Sequence, residues 1–218
     1  MFDLHTHSVF SDGELIPAES ARRAQATEYS GIAITDHADA SNLQWIIENQ
    51  LKFKESFNSY NKKFKVIIGV ELTHVLPEEI DKLTNKARRY GADIVLVHGE
   101  TIVEPVLKNT NRAAIEAGID ILAHPGLITD EEVKVAVKNN VYMELTTRKG
   151  HSYTNAHVYK KANAFGCKCV INNDFHVPGD YLSINLIHNV LLGIGLVEEE
   201  IKKIFENNKN IFIKKMEK

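Results

Sequence analysis

KVIIGVEL (Lys65–Leu72), DIVLVH (Asp93–His98) and DILAH (Asp120–His124) are nearly continuous Val/Ile/Leu runs, each with a glutamate or histidine at or beside its C-terminal end. Such runs suit parallel strands covered on both faces, because a half-exposed strand would alternate apolar with polar residues. Working outward, Phe2–Ser8, Gly31–Thr35, Val141–Leu145 and Lys168–Asn172 join Lys65–Leu72, Asp93–Val97 and Ile119–Ala123 as seven strand candidates. Around them the patterns predict helices over Pro17–Tyr29, Leu43–Tyr60, Pro77–Tyr90, Pro105–Ala117, Asp130–Lys138, Thr154–Phe165, Tyr181–Leu192 and Glu198–Asn207. Pro17, Pro77 and Pro105 sit near helix starts, where proline is tolerated. Gly31, Gly91, Gly118 and Gly166 sit just past helix ends, where a left-handed cap is wanted. Strict β-α alternation implies one α/β domain with a parallel sheet, closed as a barrel or open as a doubly wound fold.

The composition agrees. A chain of 218 residues with 44% hydrophobic and 25% charged residues is an ordinary globular domain, which excludes disorder, collagen and coiled coil. A net charge of −3 is too balanced for a chain-wide nucleic-acid surface. The longest apolar stretch, near Val190–Val197, is far short of the ~20 residues of a membrane helix. MFDLHTHSVF lacks the basic-then-apolar order of a signal peptide. Cys167 and Cys169 are too close for a relaxed disulfide, so free thiols in a reducing cytoplasm are expected. The lysine-rich residues Lys209–Lys218 read as a mobile tail.

Ten histidines are the unusual feature. His5 and His7 lie two apart on the first strand candidate, so both point the same way and can bind one ion. Alone this pair is weak evidence. But His37, Glu71, His98, His124, Asp174 and His176 fall at or just past the ends of five further strand candidates, and Asp12 follows the first. In a β/α barrel those ends converge on one mouth. Imidazole and carboxylate donors without thiolate favour Zn²⁺, Fe or Mn²⁺. Nine ligands are too many for one tetrahedral ion and suit two or three divalent ions with a bridging carboxylate. Three such ions outweigh three carboxylates in charge, so the site favours an anionic substrate.

HTHSVFSDG (His5–Gly13), ITDH (Ile34–His37), GVEL (Gly69–Leu72), VH (Val97–His98), AHP (Ala123–Pro125) and NDFH (Asn173–His176) resemble, in order, the motifs of the PHP (polymerase and histidinol phosphatase) family. The resemblance implies a distorted (β/α)7, TIM-like barrel and a trinuclear site hydrolysing phosphate esters. One ion would be held by His5, His7, Glu71 and Asp174. A second would share Glu71 and add His98 and His124. The third would use Asp12, His37 and His176.

A hydroxide bridging two ions would then attack phosphorus, since bound metals lower the pKa of water toward neutrality. Asp12 and His176 are the candidate catalytic residues, with Asp12 an alternative proton donor to the leaving alkoxide. Arg148, past the sixth strand, is the candidate phosphate ligand because its planar fork suits phosphate. Glu144 either faces the mouth or makes a rim hydrogen bond. Asp36 is a candidate to orient a ligand, although alternation aims it away from the mouth. His74 and His151 read as non-functional, His157 and His188 as structural or solvated. Trp45, Phe53, Phe57 and Tyr60 read as an apolar helix face. The expected activity is cleavage of a small phosphomonoester resembling histidinol phosphate. The expected partner is that small phosphorylated substrate, with no membrane and no long nucleic acid. The alternatives are a phosphodiesterase or nuclease on short nucleotides, and a non-catalytic metal-binding scaffold.

Overall fold

The apolar runs form strands that are buried on both faces. In the computed structural model, which describes residues 1–217, they are β1 (Phe2–Thr6), β2 (Gly31–Ile34), β3 (His37–Ala38), β4 (Lys65–Leu72), β5 (Ile94–His98), β6 (Ile121–Ala123), β7 (Tyr142–Thr146) and β8 (Cys169–Asn172). All pair in parallel, in the order β1-β2-β4-β5-β6-β7-β8. The two-residue β3 continues the line of β2 and sets His37 beside Glu71 and Ala38 beside Leu72. The sheet therefore has seven staves, as the alternation implied. His7 N–H donates to the Phe175 carbonyl (2.8 Å) and Phe175 N–H to that of His5 (3.3 Å), which brings the first stave to the last. The result is a nearly closed (β/α)7 barrel in one α/β domain.

The described helices are α1 (Pro17–Ala26), α2 (Leu43–Tyr60), α3 (Pro77–Tyr90), α4 (Thr110–Glu116), α5 (Asp130–Asn139), α6 (Asn155–Ala164), α7 (Ile184–Gly193) and α8 (Glu198–Met216). Their apolar faces form one buried layer with the outward side chains of the strands. A second, smaller cluster fills the barrel: Leu4, Ala33, Ile67, Ile94, Leu96, Ile121 and Val170, with Ile211 and Phe212 of α8.

Three expectations are corrected. Of the expected tail Lys209–Lys218, residues 209–216 are not mobile but the end of α8, and Lys218 lies outside the described residues. Ile204, Asn208, Ile211, Phe212 and Lys215 recur at helical spacing and are all buried, so the lysines of this stretch mask an amphipathic helix. Pro105 does not open a helix; residues 99–109 form a loop and α4 begins at Thr110. Gly31 is not a helix cap but the first residue of β2, and a Cβ there would stand 2.6 Å from the Phe212 ring. The left-handed residue after α1 is Glu28. No described helix is long and apolar enough to cross a membrane.

Candidate metal centre

The staves deliver their C-terminal residues to one pocket. His5 ends in the barrel from β1 and His7 follows it; a register shift between Asp3 and Thr6 re-aims β1, so that Leu4 packs in the interior while His5 reaches Glu71. Glu71 comes from β4, His37 from β3, His98 from β5, His124 from the turn after β6, and Asp174 and His176 from the segment after β8. Asp12 is carried by a tight loop whose Gly13 leaves no room for a Cβ, which would lie 2.6 Å from the His7 carbonyl oxygen.

His5 Nε2 is 3.3 Å from Glu71 Oε2 and 3.7 Å from Asp174 Oδ1. His7 Nε2 lies 3.3 Å from Asp174 Oδ1 and 3.7 Å from Glu71 Oε2. His124 Nε2 is 3.4 Å from Glu71 Oε1 and 3.6 Å from Asp174 Oδ2. Asp12 Oδ1 stands 3.3 Å from His176 Nε2 and 3.6 Å from His37 Nε2. Ligands ~2.1 Å from a shared tetrahedral ion stand about 3.4 Å apart, so these are the spacings of coordination shells.

The donors are also free to coordinate. Glu144 Oε1 is 2.8 Å from His5 Nδ1; a carboxylate there accepts, which puts the imidazole hydrogen on Nδ1 and the lone pair of the neutral ring on Nε2. That Nε2, both nitrogens of His7, Glu71 Oε1 and Asp174 Oδ1 are buried with no hydrogen-bond partner. Buried polar atoms without partners are costly, and divalent cations among them would satisfy the lone pairs of this set, the neutral His7 ring offering one nitrogen and keeping its hydrogen on the other. Burial opposes the charged form of every group here, yet neighbours decide the outcome. Glu144, Glu71 and Asp174 raise the pKa of His5 despite its burial. Against the same penalty, Glu71 raises those of His37 and His124. The surrounding imidazoles hold Glu71 and Asp174 well below the usual carboxylate range. Burial, helped by the His37 cation, pushes His7 down to about 3 and keeps it neutral.

Groups behind these donors fix their aim. Glu144 Oε2 also accepts from His124 N–H, so one buried carboxylate orients two ligands; Glu144 makes the rim bond rather than an open contact. Thr73 Oγ1 is 2.6 Å from His37 Nδ1. Asp36 is buried and accepts from Ser8 N–H (2.6 Å) and from the hydroxyls of Ser8 and Ser11 and the amide of Gln50. It braces the loop that carries Asp12 instead of holding a histidine ring. His124 and Asp174 adopt left-handed backbone, with φ of 27° and 53°.

Arg148 lines the same pocket and its guanidinium is held 3.0 Å from Asp180, whose carboxylate also accepts from His176 N–H. His151, expected at the surface, is buried with its ring stacked 4.2 Å from that of His124. The chain folds back through a short 3-10 turn at His151–Thr154 that local pattern does not signal. His74, also expected to be idle, lines the pocket with φ 53°. Glu104 was not singled out by the sequence. It lies 3.1 Å from His98 Nε2, and His98, His151 and His74 hold its carboxyl down to about 2. Position on a loop after a strand end was its only signal, and Glu100 shares that signal yet accepts from Asn111 N–H. His157 bonds the Ile128 carbonyl and His188 pairs with Glu198, away from the pocket.

A parallel β/α barrel whose mouth gathers histidines and carboxylates with orphaned donor atoms defines the chain as a metal-dependent hydrolase by class. Its family follows: residues 3–216 match the model of the PHP domain, and the chain belongs to that family. It is 48% identical over 202 residues to the uncharacterized protein MJ1295 of Methanocaldococcus jannaschii, across 92% of this chain and 93% of that one. It is 27% identical over 194 residues to the DNA polymerase/3′-5′ exonuclease PolX of Bacillus subtilis, across 80% of this chain but only 34% of PolX. Among solved structures, a Listeria monocytogenes protein assigned as the histidinol phosphatase hisK superposes with a TM-score of 0.60 at 13% identity, covering 83% of this chain and 97% of that one.

Proposed function

We propose that the protein hydrolyses phosphomonoesters of small molecules, using two or three divalent ions, with Zn²⁺, Fe and Mn²⁺ the metals its donors suit. The observation that carries this reading is the set of buried, unpartnered histidine and carboxylate atoms at coordination spacing beside Arg148. His5, His7, Glu71 and Asp174 would hold one ion, Glu71 with His124 and His98 a second, and Asp12, His37 and His176 a third. Bound ions supply an activated water and neutralise phosphate charge. The chain's own residues do the rest. Arg148, anchored by Asp180, offers its remaining donors to phosphate oxygens. Asp12 is held below the usual carboxylate range, with burial opposing and His176 and His37 prevailing. It therefore stays ionised at neutral pH and serves as a ligand better than as a proton donor. The pocket of about 280 Å³ accommodates a small phosphorylated molecule, with histidinol phosphate as one candidate. A cytoplasmic setting agrees with two free cysteines.

The similarity to PolX favours a second reading, hydrolysis of short nucleotide ends. One experiment decides between them. Protein purified without added metal is assayed for metal content by plasma mass spectrometry, then for release of nitrophenol from p-nitrophenyl phosphate and from bis-p-nitrophenyl phosphate. The expected result is two to three equivalents of metal and chelator-sensitive monoesterase activity, both lost in His7→Ala and Asp174→Ala. Preference for the diester supports the nuclease reading. Metal-loaded protein inactive on both points to a scaffold.

A further inference from the structure

Loop 99–109 turns Glu104 into the pocket, where it faces three imidazoles through their Nε2 atoms. Glu104 Oε2 is 3.1 Å from His98 and 3.3 Å from His74, and Oε1 is 3.3 Å from His151. His74, His98 and Glu104 each offer a ligand atom, all within 4.8 Å of one another. These spacings are close to the shortest within the nine-residue set, such as the 3.3 Å between His5 and Glu71. His98 is buried, and its Nδ1 has no partner to fix the ring. His151 Nδ1 lies 2.9 Å from Thr101 Oγ1, which fixes that ring and keeps its Nε2 aimed at Glu104. His74 reaches the cluster on the same left-handed backbone that His124 and Asp174 use. Of the six non-glycine residues with positive φ among the described residues, these three line the pocket, and Glu28, Asn109 and Asn140 lie at helix termini or turns.

We propose that Glu104 and His74 are metal ligands, which with His98 hold a divalent cation at the outer side of the pocket, next to His151. The donor set of two imidazoles and one carboxylate suits Zn²⁺, Mn²⁺ or Fe²⁺ and leaves positions open for water or substrate. The ion bound through His98 is thus anchored by loop 99–109 and the turn after β4 as well as by the end of β5. The proposal rests on the metal-dependent reading above, but Glu104 and His74 lie outside the nine, and only His98 is shared with them.

The test uses the full chain and zinc as the probe. Wild type, Glu104→Gln, His74→Ala and His98→Ala are stripped with chelator and reloaded with Zn²⁺. Tight equivalents are counted by plasma mass spectrometry, and affinity is measured by competition with a chromophoric chelator. Removing a group that merely orients a ligand costs ~10–100-fold in metal affinity. Loss of a true ligand is expected to weaken one equivalent beyond that range. Glu104→Gln and His74→Ala should lose the same equivalent as His98→Ala, the double variant should lose no more, and Glu104→Asp should recover part. Circular dichroism of the metal-free variants is expected to match wild type, since Glu104 and His74 are partly exposed loop residues. If Glu104→Gln and His74→Ala keep the wild-type complement with affinity within ~100-fold of wild type, Glu104 at most orients its neighbours and the proposal fails while the functional reading stands. If wild type itself takes up no zinc, both fail.

Discussion

Glu144 concentrates more of the site's order than any ligand does. Its two oxygens receive the ring of His5, the amide of Asn172 and the backbone N–H of His124, all in a buried setting. Glu144→Gln replaces one acceptor with an N–H that must face another donor, so either His5 or His124 loses its partner. Metal affinity, measured by chelator competition, should fall ~10–100-fold, with the fold retained by circular dichroism. Unchanged affinity would show that His5 and His124 orient themselves. Asp36 makes a contrasting case. Asp36→Ala leaves the buried Ser8 hydroxyl and Gln50 amide without their acceptor, and each buried orphan costs roughly 1–3 kcal/mol. A lowered midpoint in urea is expected, together with weaker binding of the ion nearest Asp12. At this scale the residues of the pocket were legible where a two-residue spacing on a strand fixes direction, as in His5 and His7. Glu104, His74 and His151 were not, because loops carry no periodicity and only folding brings residues 74, 104 and 151 to one place.

Helix α8 shows what element-level reading can and cannot extract. The strands were legible because seven apolar runs alternate with helical patterns and each boundary has turn chemistry. The end of α8 was not, because lysines are interspersed with its apolar residues and charge was read as mobility. Burial tells the opposite story. Ile211 and Phe212 close the bottom of the barrel, with the Phe212 ring 4.7 Å from that of Phe2. Asn208 donates to the Phe2 and Ile171 carbonyls and accepts from Ile171 N–H, bridging β1 and β8 where the barrel closes. Phe212→Ala should therefore cost ~3–5 kcal/mol, the range for truncating a buried aromatic, read as a fall in the denaturation midpoint. A loss below ~0.5 kcal/mol, typical of a surface site, would restore the tail reading. Strand β8 and the turn before it carry a pH dependence of their own. Burial pushes the Cys167 thiol up to about 11 and raises that of Cys169 as well. Between about pH 9 and 11 the unfolded chain loses a Cys167 proton that the folded chain keeps. Stability should then fall with rising pH, by at most ~1.4 kcal/mol per unit for this group. Cys167→Ala should flatten that part of the profile.

For the whole molecule, the barrel gathers ionisable groups at one end and apolar side chains at the other. Every stave contributes to that end, so the metal-free pocket stores unpaired donors that no single stave can relieve. Cations that bind this arrangement and not the unfolded chain must stabilise the fold by mass action: a ligand present at ~1,000 times its dissociation constant adds about 4 kcal/mol. A domain of this size shifts by ~2–4 °C per kcal/mol, so adding zinc to stripped protein should raise the melting temperature by roughly 8–16 °C. The sign of the pH dependence follows from the histidines. His5, His37 and His124 have raised pKa values in the metal-free fold, so protons compete there more strongly than at free imidazole. Metal must displace those protons, and the metal-induced shift should shrink as pH falls from about 8 toward 5. Melting curves with and without zinc at several pH values check this. A shift that is absent, or that grows as pH falls, would mean that buried histidines and carboxylates neutralise one another by proton sharing, and that the mouth of this barrel needs no ion to be stable.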